Sequence, residues 1–509
     1  MEKKKPNILI IMADQHRFDC IGSYGNKDIK TPNIDALANN GVQFNNSFCP
    51  YPICTPSRYS MLTGLYVHQH LGYGNSSTTP EGLATFPKVL REAGYNTKAV
   101  GKMHTTPVYY DVGFDEELLA EQGNGQFLDD YNRYLRANNL CDESEVMKMM
   151  EGAPLSYFKT IGCQESNLPE EHHVTTWIAD KSVETIENWD NESNNLLLTS
   201  FVNPHNPFTP PAPWSEMYNP DDLSLLDGWT PECLERDVQC HDSMNYHTYN
   251  EVTESQIRKL MAMYYGSISQ IDFQIGRMID TLKKKGLYDN TIIIYTSDHG
   301  EFMGFHHLHA KHNYMYDVLT KTPFIVKWQN QKSAGSVSNE LINNVDIAPT
   351  IIDGCNLEIP RTMAGFSLKE NDSVRDFVYS EQHLKDQRMI RTKTRKLIMC
   401  KDENYSLYFD LENDPNEMNN LYNDNKYSAE IAELKEKFYK WRVYDVNSVG
   451  HTDLTANIAK GENSIREDNP EVAKAKKYFA NKRDEYYATI PKNDRVTADM
   501  LPCGKSLFK

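Results

Sequence analysis

The side chains with the greatest chemical capacity in this sequence sit just past short apolar runs. Asp14 and Gln15 follow Asn7 to Met12, and Lys102 and His104 follow Asn96 to Val100. His205 follows Leu196 to Val202, and Asp298-His299 follow Thr291 to Thr296. Carboxylate, imidazole and ammonium groups gathered on one rim would hold a hard cation, bind an anion and move protons. Each alone has an ordinary explanation, since an aspartate after a strand is usually a turn former or a helix cap. Recurrence at successive strand ends is what predicts a site. The most specific feature is Cys54-Thr55-Pro56-Ser57-Arg58, followed by Tyr59 to Leu62 and Thr63-Gly64. Pro56 suits the first position of a helix capped by Thr55, which puts Cys54 at the positive end of that helix. Anions bind there, and thiols ionise readily there. A half-buried structural cysteine and a thiol nucleophile paired with a histidine are the other readings of the same residue.

These groups converge only if the apolar runs are neighbouring strands. Over roughly the first two-thirds of the chain such runs alternate with amphipathic stretches, the pattern of a sheet covered on both faces by helices. Open sheets of this kind hold ligands at the carboxyl ends of their strands. Thr31-Pro32 opens a helix with Thr31 as its cap, closed at Gly41, and residues 84–93 repeat the arrangement up to Gly94. Ile257, Leu260, Tyr264, Ile268, Ile271, Ile275 and Leu282 keep helical spacing, which predicts one long helix over 255–285 ending at Gly286. Past residue 370 the texture changes. Phe377–Ser380, Met389–Thr392, Lys396–Met399 and Ser406–Phe409 read as strands of a small antiparallel sheet, and residues 427–442 as a helix. The predicted class is α/β, a large mixed sheet sandwiched by helices with a smaller C-terminal antiparallel-sheet subdomain. The boundaries are 1–370 for the large domain, 371–450 for the subdomain and 451–509 for a polar extension. Low apolar content makes that extension a wrapping arm or a partly disordered tail.

Several segments together carry a family resemblance. Cys54, Pro56, Ser57 and Arg58 complete a Cys-x-Pro-Ser-Arg motif. Around it, in order, stand Pro6-Asn7-Ile8-Leu9 to Asp14-Gln15, Thr31-Pro32-Asn33-Ile34-Asp35 and Gly101-Lys102-Met103-His104. Asn203-Pro204-His205, Ser297-Asp298-His299-Gly300 and the stretch from Lys311 to Asp317 follow. Leu407-Tyr408-Phe409-Asp410-Leu411-Glu412-Asn413-Asp414-Pro415 closes the series within the C-terminal subdomain. Over residues 6–425 the chain thus resembles the formylglycine-dependent sulfatases of the alkaline phosphatase superfamily. The resemblance implies an alkaline-phosphatase-like fold and a hydrolase of sulfate monoesters.

It also implies a role for each residue. Cys54 is expected to be oxidised to formylglycine by a maturation enzyme, a transient partner, and to act as both nucleophile and metal ligand. One oxygen of the hydrated aldehyde attacks sulfur and displaces the alcohol; deprotonating the other hydroxyl expels sulfate and restores the aldehyde. One divalent cation is expected between Asp14, Gln15, the converted Cys54, Asp298 and His299. Gln15 stands where many members have a second aspartate, so an oxygen ligand is kept and a negative charge is lost. Oxygen donors favour calcium, the first choice, or magnesium, and the imidazole admits manganese. Arg58 is expected to orient the diol, Lys102 to bridge diol and sulfate, and His104 to act as general base. His205 and Lys311 would contact the sulfate and its leaving oxygen. His306-His307-x-His309-x-Lys311-His312 reads in isolation as a metal-binding tract; the match of Lys311 to the family position favours a pocket-lining loop. The nearest alternative is a phosphonate monoester or phosphodiester hydrolase of the same superfamily. The rival from another class is a silent anion-binding protein, which the intact polar set argues against.

Composition narrows the rest. With 509 residues, 39% hydrophobic and 24% charged, the chain can bury a large core, and disorder over most of its length is excluded. A net charge of −18 repels nucleic acid and anionic lipid and makes a long polyanion a poor partner. A short sulfated carbohydrate attacked in exo fashion is therefore expected, with aryl sulfates as surrogate substrates. No apolar run reaches the ~18 residues of a membrane span. Met1-Glu2-Lys3-Lys4-Lys5 resembles a signal-peptide start, but Ile8 to Met12 is short and meets Asp14 without a cleavage site. Ten scattered cysteines suit a reducing compartment, so the expected location is cytoplasmic. Residues 105–170 read as an insertion that shapes the pocket, and homo-oligomerisation is left open.

Overall fold

The computed structural model describes residues 5–122, 129–143, 162–236, 247–248, 251–311, 314–331, 333–369, 375–383, 386–446 and 470–488. The large sheet is built from β1 (Asn7–Ala13), β2 (Val42–Phe48), β3 (Asn96–Gly101), β4 (Glu116–Leu119), β5 (Asn195–Phe201), β6 (Thr291–Ser297), β7 (Lys321–Lys327) and β8 (Ser336–Asn343). Their spatial order is β4-β3-β5-β1-β6-β7-β2-β8. From β4 to β6 every pairing is parallel. β7 runs against both β6 and β2, while β8 pairs parallel with β2. The sheet is therefore mixed, as expected. β1, β5 and β6 are buried end to end, which is why they read as unbroken apolar runs rather than alternating ones.

Alternate residues of β1 feed two cores. Ile8, Ile10 and Met12 pack on one face with Met61 and Leu62 of helix α2 (Cys54–Thr63), Phe86, Leu90 and Ile347. Leu9, Ile11 and Ala13 pack on the other with Leu37 of helix α1 (Pro32–Asn39), Ile178, Ile271 and Ile275. The long helix Glu254–Lys284 and helix Val174–Glu187 cover that second face. Among the described residues no helix is long and apolar enough to cross a membrane.

Helix α1 starts as expected, with Thr31 as its N-cap residue and Pro32 at its first position, but without the expected cap bond, and the start of α2 lies elsewhere than expected. Thr31 makes no side-chain cap to α1; its hydroxyl instead donates to Asp35 and accepts from the Gly22 N–H. The α1 amides of Asn33 and Ile34 are taken by the Asp272 carboxylate of the long helix, at 3.0 and 2.7 Å. A carboxylate from another element thus does the work of a local cap. Helix α2 begins at Cys54, not Pro56, with Ile53 as its N-cap residue. Pro56 then falls inside the first turn, where a missing N–H removes no intrahelical bond. Thr55 is not a cap either, and donates to the His104 carbonyl at 2.8 Å.

The second sheet has the antiparallel order β12-β11-β10-β9. Its strands are β9 (Val378–Gln382), β10 (Gln387–Arg391), β11 (Arg395–Met399) and β12 (Leu407–Asp410). On one face lies helix Ser428–Lys440, through Ile431, Leu434 and Phe438. The other face packs Met389, Ile398, Leu407 and Phe409 against Phe302, Phe305, Leu308 and Tyr316. Those aromatics flank Lys311, so the small sheet backs the loop that carries it. Part of the extension is ordered. Helix Pro470–Ala488 buries Val472 and Ala475 in the core cluster that contains Tyr109 and Tyr110, and Lys482 reaches Asp130 at 3.1 Å. The rest of the extension, and 123–128 and 144–161 of the expected insertion, lie outside the described residues.

Candidate active site

The carboxyl ends of β1, β3, β5 and β6 share one edge, and the polar residues past each of them meet there. Two glycines let the chain turn at this edge. Gly101 ends β3 with a φ of 103°, and a Cβ there would lie 2.0 Å from the Ser200 carbonyl oxygen. A Cβ on Gly300 would lie 2.0 Å from that of Val318. Neither position admits a side chain. After β2 the chain crosses the same edge and enters α2, which brings Cys54 in from above.

Asp14, Cys54, Asp298 and His299 are all buried, and each offers a ligand atom within 4.8 Å of the others. Among the described residues they are the one such cluster of His, Cys, Asp and Glu. The Cys54 sulfur lies 3.3 Å from His299 Nε2, 3.6 Å from Asp14 Oδ1 and 2.8 Å from Lys311 Nζ. Lys102 Nζ stands 2.7 Å from Asp14 Oδ2 and 3.9 Å from the sulfur. Burial opposes ionisation of the thiol, but Lys102, Lys311, His299 and a hydrogen bond from His104 outweigh it and hold Cys54 well below the usual thiol range. Burial and the Cys54 charge likewise oppose ionisation of Asp14, yet Lys102, His205 and Arg58 keep it a carboxylate far below the ordinary value.

The donor set fits a cation. His299 Nδ1 lies 2.9 Å from the Gly300 carbonyl, so that nitrogen carries a proton and Nε2 is the one turned toward the cluster. Against burial and Lys311, Asp298 and Cys54 hold the imidazole above its ordinary value with no cation present, and a cation would take the place of the Nε2 proton. The Lys311 ammonium already sits among Gln15 Oε1 at 3.0 Å, Cys54 Sγ at 2.8 Å and His299 Nε2 at 3.1 Å. Positive charge is therefore accommodated between those atoms.

Arg58, Lys102, His104, His205 and Lys311 also lie at this edge, around Asp14 and Cys54. Arg58 Nε and Nη2 donate to Asp298 Oδ2 at 2.8 Å and Asp14 Oδ2 at 2.9 Å. Nη1 donates to the Lys102 carbonyl at 2.5 Å and Ser200 Oγ at 2.9 Å. It ties the two carboxylates together. His205 has Nδ1 2.6 Å from the Asn206 carbonyl. His104 adopts a left-handed backbone with φ 56°. The buried Glu121 carboxylate holds it there, accepting the N–H groups of Met103 and His104 at 2.8 and 2.9 Å. Gln122 accepts from Lys102 Nζ at 2.8 Å.

Glu121, Gln122, Ser200 and Glu301 were not singled out from sequence. Glu121 and Gln122 follow β4, so the strand-end rule would have found them had that short, half-polar strand been legible. The histidine run does not form a metal cluster among the described residues. His306 stacks on Tyr316 with ring centroids 4.4 Å apart, and His307 bonds the carbonyls of His247 and Thr230; His312 lies outside the described residues.

The sulfatase family profile matches residues 6–356, and that of the N-sulphoglucosamine sulphohydrolase C-terminal region matches 304–444. An arylsulfatase of Clostridium perfringens is 32% identical over 473 residues, covering 86% of this chain and 94% of the relative. An N-acetylglucosamine-6-O-sulfatase of Bacteroides thetaiotaomicron is 28% identical, covering 86% of each chain. The fold is also that of the phosphonate monoester hydrolase of Agrobacterium radiobacter, with a TM-score of 0.71 at 24% identity over 86% of this chain and 95% of that one.

Proposed function

The chain belongs to the sulfatase family of the alkaline phosphatase superfamily, and from that premise we propose that it removes sulfate from a short sulfated carbohydrate in exo fashion. Hydrolysis of sulfate monoesters is the activity of the family; the sugar and the exo action are the proposal. The observation that carries it is the Cys54 sulfur, buried at the first turn of α2 with Lys311 at 2.8 Å, Lys102 at 3.9 Å and cation-binding donors on its other side. A nucleophile so placed faces a doubly cationic slot matched to a sulfate group. Net charge of −18 over the whole molecule disfavours long polyanionic chains, which supports a short substrate.

Conversion of Cys54 to formylglycine by a maturation enzyme is part of the proposal, and the sulfur then marks the place of the attacking oxygen. Asp14, Gln15, Asp298 and His299 would hold a divalent cation, with calcium proposed first and manganese or magnesium as competitors. When bound, such an ion lowers the pKa of an oxygen nucleophile and polarises the sulfuryl oxygens. The remaining work falls to this chain's own side chains. Arg58 keeps the Asp14 and Asp298 carboxylates at fixed separation. Lys102 and Lys311 neutralise sulfate charge as it shifts toward the leaving oxygen. His104, held by Glu121, accepts the proton that resets residue 54, and His205 with Lys311 supplies the proton that the departing oxygen takes up, so that it leaves as a neutral alcohol.

The test combines intact mass of the Cys54 peptide with turnover on sulfated mono- and disaccharides. Oxidation of the thiol to an aldehyde lowers the peptide mass by about 18 Da. An unconverted cysteine in fully active protein would sink the formylglycine reading, and uniform indifference to all sulfated sugars would sink the substrate reading. Elemental analysis of protein purified without added metal tests the choice of calcium. Cytoplasmic residence belongs to the same proposal and is checked by cell fractionation, a secreted or periplasmic pool overturning it.

A further inference from the structure

Gln15 has no freedom to choose which end of its amide faces the site. Its Nε2 donates to Glu301 Oε2, with Asn206 Oδ1 as a second acceptor at 3.5 Å. Its Oε1 accepts from Lys311 Nζ at 3.0 Å. Glu301 is fully buried, and its other oxygen takes the backbone N–H groups of Met303 at 3.0 Å and Ala310 at 2.5 Å. Those two donors need an oxygen, so Oε1 is committed to them and Oε2 is left facing Gln15. An amide opposite a carboxylate must turn its NH2 toward it, and only then does its oxygen point to the opposite side. That side is where Lys311 Nζ meets Cys54 Sγ and His299 Nε2.

We propose that Glu301 is a positioning residue that fixes the Gln15 amide with its oxygen toward the bound cation. An acceptor on the NH2 also polarises the amide and raises the negative charge on its oxygen. The carboxylate missing from position 15 is thus present at one remove. The inference rests on the proposed role of Gln15 as a cation ligand and adds the residue that makes it one. Such residues behind a ligand tune affinity as the ligands themselves do. Restoring charge through Gln15→Asp is not the compensating change, because the shorter side chain gives up Glu301.

The experiment uses the full chain, stripped with chelator and titrated with Ca²⁺ alone, read by calorimetry and by the Ca²⁺-dependent rise in Tm. In Glu301→Gln the Met303 and Ala310 donors still demand an oxygen, so the new side chain must turn its NH2 to Gln15. The Gln15 amide then reverses and presents NH2 to the cation. Ca²⁺ affinity should fall about 10–100-fold, with the Tm of the stripped protein little changed. Adding Gln15→Glu in that background should restore affinity, because its carboxylate accepts from the new NH2 and offers its second oxygen to the ion. A packing role predicts no such recovery, and the double variant does not depend on the single one being stable. Wild-type affinity in Glu301→Gln, or no recovery in the double variant, overturns the proposal. If the wild-type chain itself binds none of Ca²⁺, Mn²⁺ or Mg²⁺, the cation reading fails first and this one with it.

Discussion

At the sulfur of Cys54, two ammonium groups, an imidazole and the first turn of α2 act on one atom. If that atom marks the nucleophile, Cys54→Ala should lose at least ~10³-fold in kcat with folding intact, the scale of removing a group that attacks substrate. Wild-type turnover in that variant would end the proposed mechanism. His205 and Lys311 are separable from Cys54 by leaving group. Their alanine variants should lose more activity on sugar or alkyl sulfates than on nitrophenyl sulfate, since a good leaving group needs little acid assistance. Equal losses on both would refute those roles. A neutral ligand at position 15 would repel anionic substrates less than a carboxylate does, so discrimination between ester types is expected to rest on the remaining shape and donors of the site. Sulfate monoesters, phosphodiesters and phosphonate monoesters each bring a single negative charge to the reacting centre, whereas a phosphate monoester brings nearly two. Side activity on the singly charged phosphorus esters is expected, with sulfate preferred. The check is kcat/KM on matched nitrophenyl esters; a phosphonate monoester leading by orders of magnitude would install the alternative hydrolase reading.

Elements hold those atoms in place by bonds that cross between them. Asp272, on the long helix, serves the N-terminus of α1 on the neighbouring chain segment, accepting Asn33 N–H, Ile34 N–H and the Asn33 amide at 3.0, 2.7 and 2.8 Å. Removing it strands buried helix amides, so Asp272→Ala should cost about 2–4 kcal/mol by denaturant unfolding. Thr31→Ala should cost less, about 1 kcal/mol or under, since no cap bond is lost. The reverse order would show that α1 is capped locally after all. The small sheet matters in the same way. Its apolar face supports the aromatics that flank Lys311, so its sequence signature belongs to the site although none of its side chains enters the cation cluster.

Across the whole molecule, buried neutral histidines give stability a definite pH dependence. Burial holds His70 down to about 3 and His173 to about 4, both from 6.5. His70 is locked in its neutral form with Nε2 2.9 Å from Ser60 Oγ and Nδ1 accepting the Gly72 N–H at 3.1 Å. His173 caps helix Val174–Glu187 through Thr175 N–H at 3.4 Å. A depressed folded pKa means that unfolding takes up a proton below about 6.5. The stabilising contribution is therefore complete above that value and is lost as the pH falls toward 4 and 3. Each such histidine adds up to about 1.4 kcal/mol per pH unit to the slope in that window. His70→Gln should flatten the slope of unfolding free energy against pH by about one proton. An unchanged slope between pH 4 and 6 would show that His70 is not held neutral.

The strands that place the site were legible because burial on both faces leaves an unbroken apolar signature, as in Asn7–Ala13 and Thr291–Ser297, and a polar residue ends each run at the ligand-binding edge. The order of motifs along the chain carried the family, and Cys54 was visible through its helix start even though the helix begins at Cys54 itself, ahead of Pro56. β2, β4, β7 and β8 were not singled out, since their polar or exposed positions blur any period and nothing local records that β7 runs antiparallel. Long-range partners decided the rest. Asp272 as the cap of α1 is a pairing across 239 positions, Arg58 as a bridge between carboxylates spans 44 and 240, and Glu301 behind Gln15 spans 286. A hydrogen bond depends on distance in space, and no residue type or spacing encodes which of many carboxylates the folded chain will bring within reach.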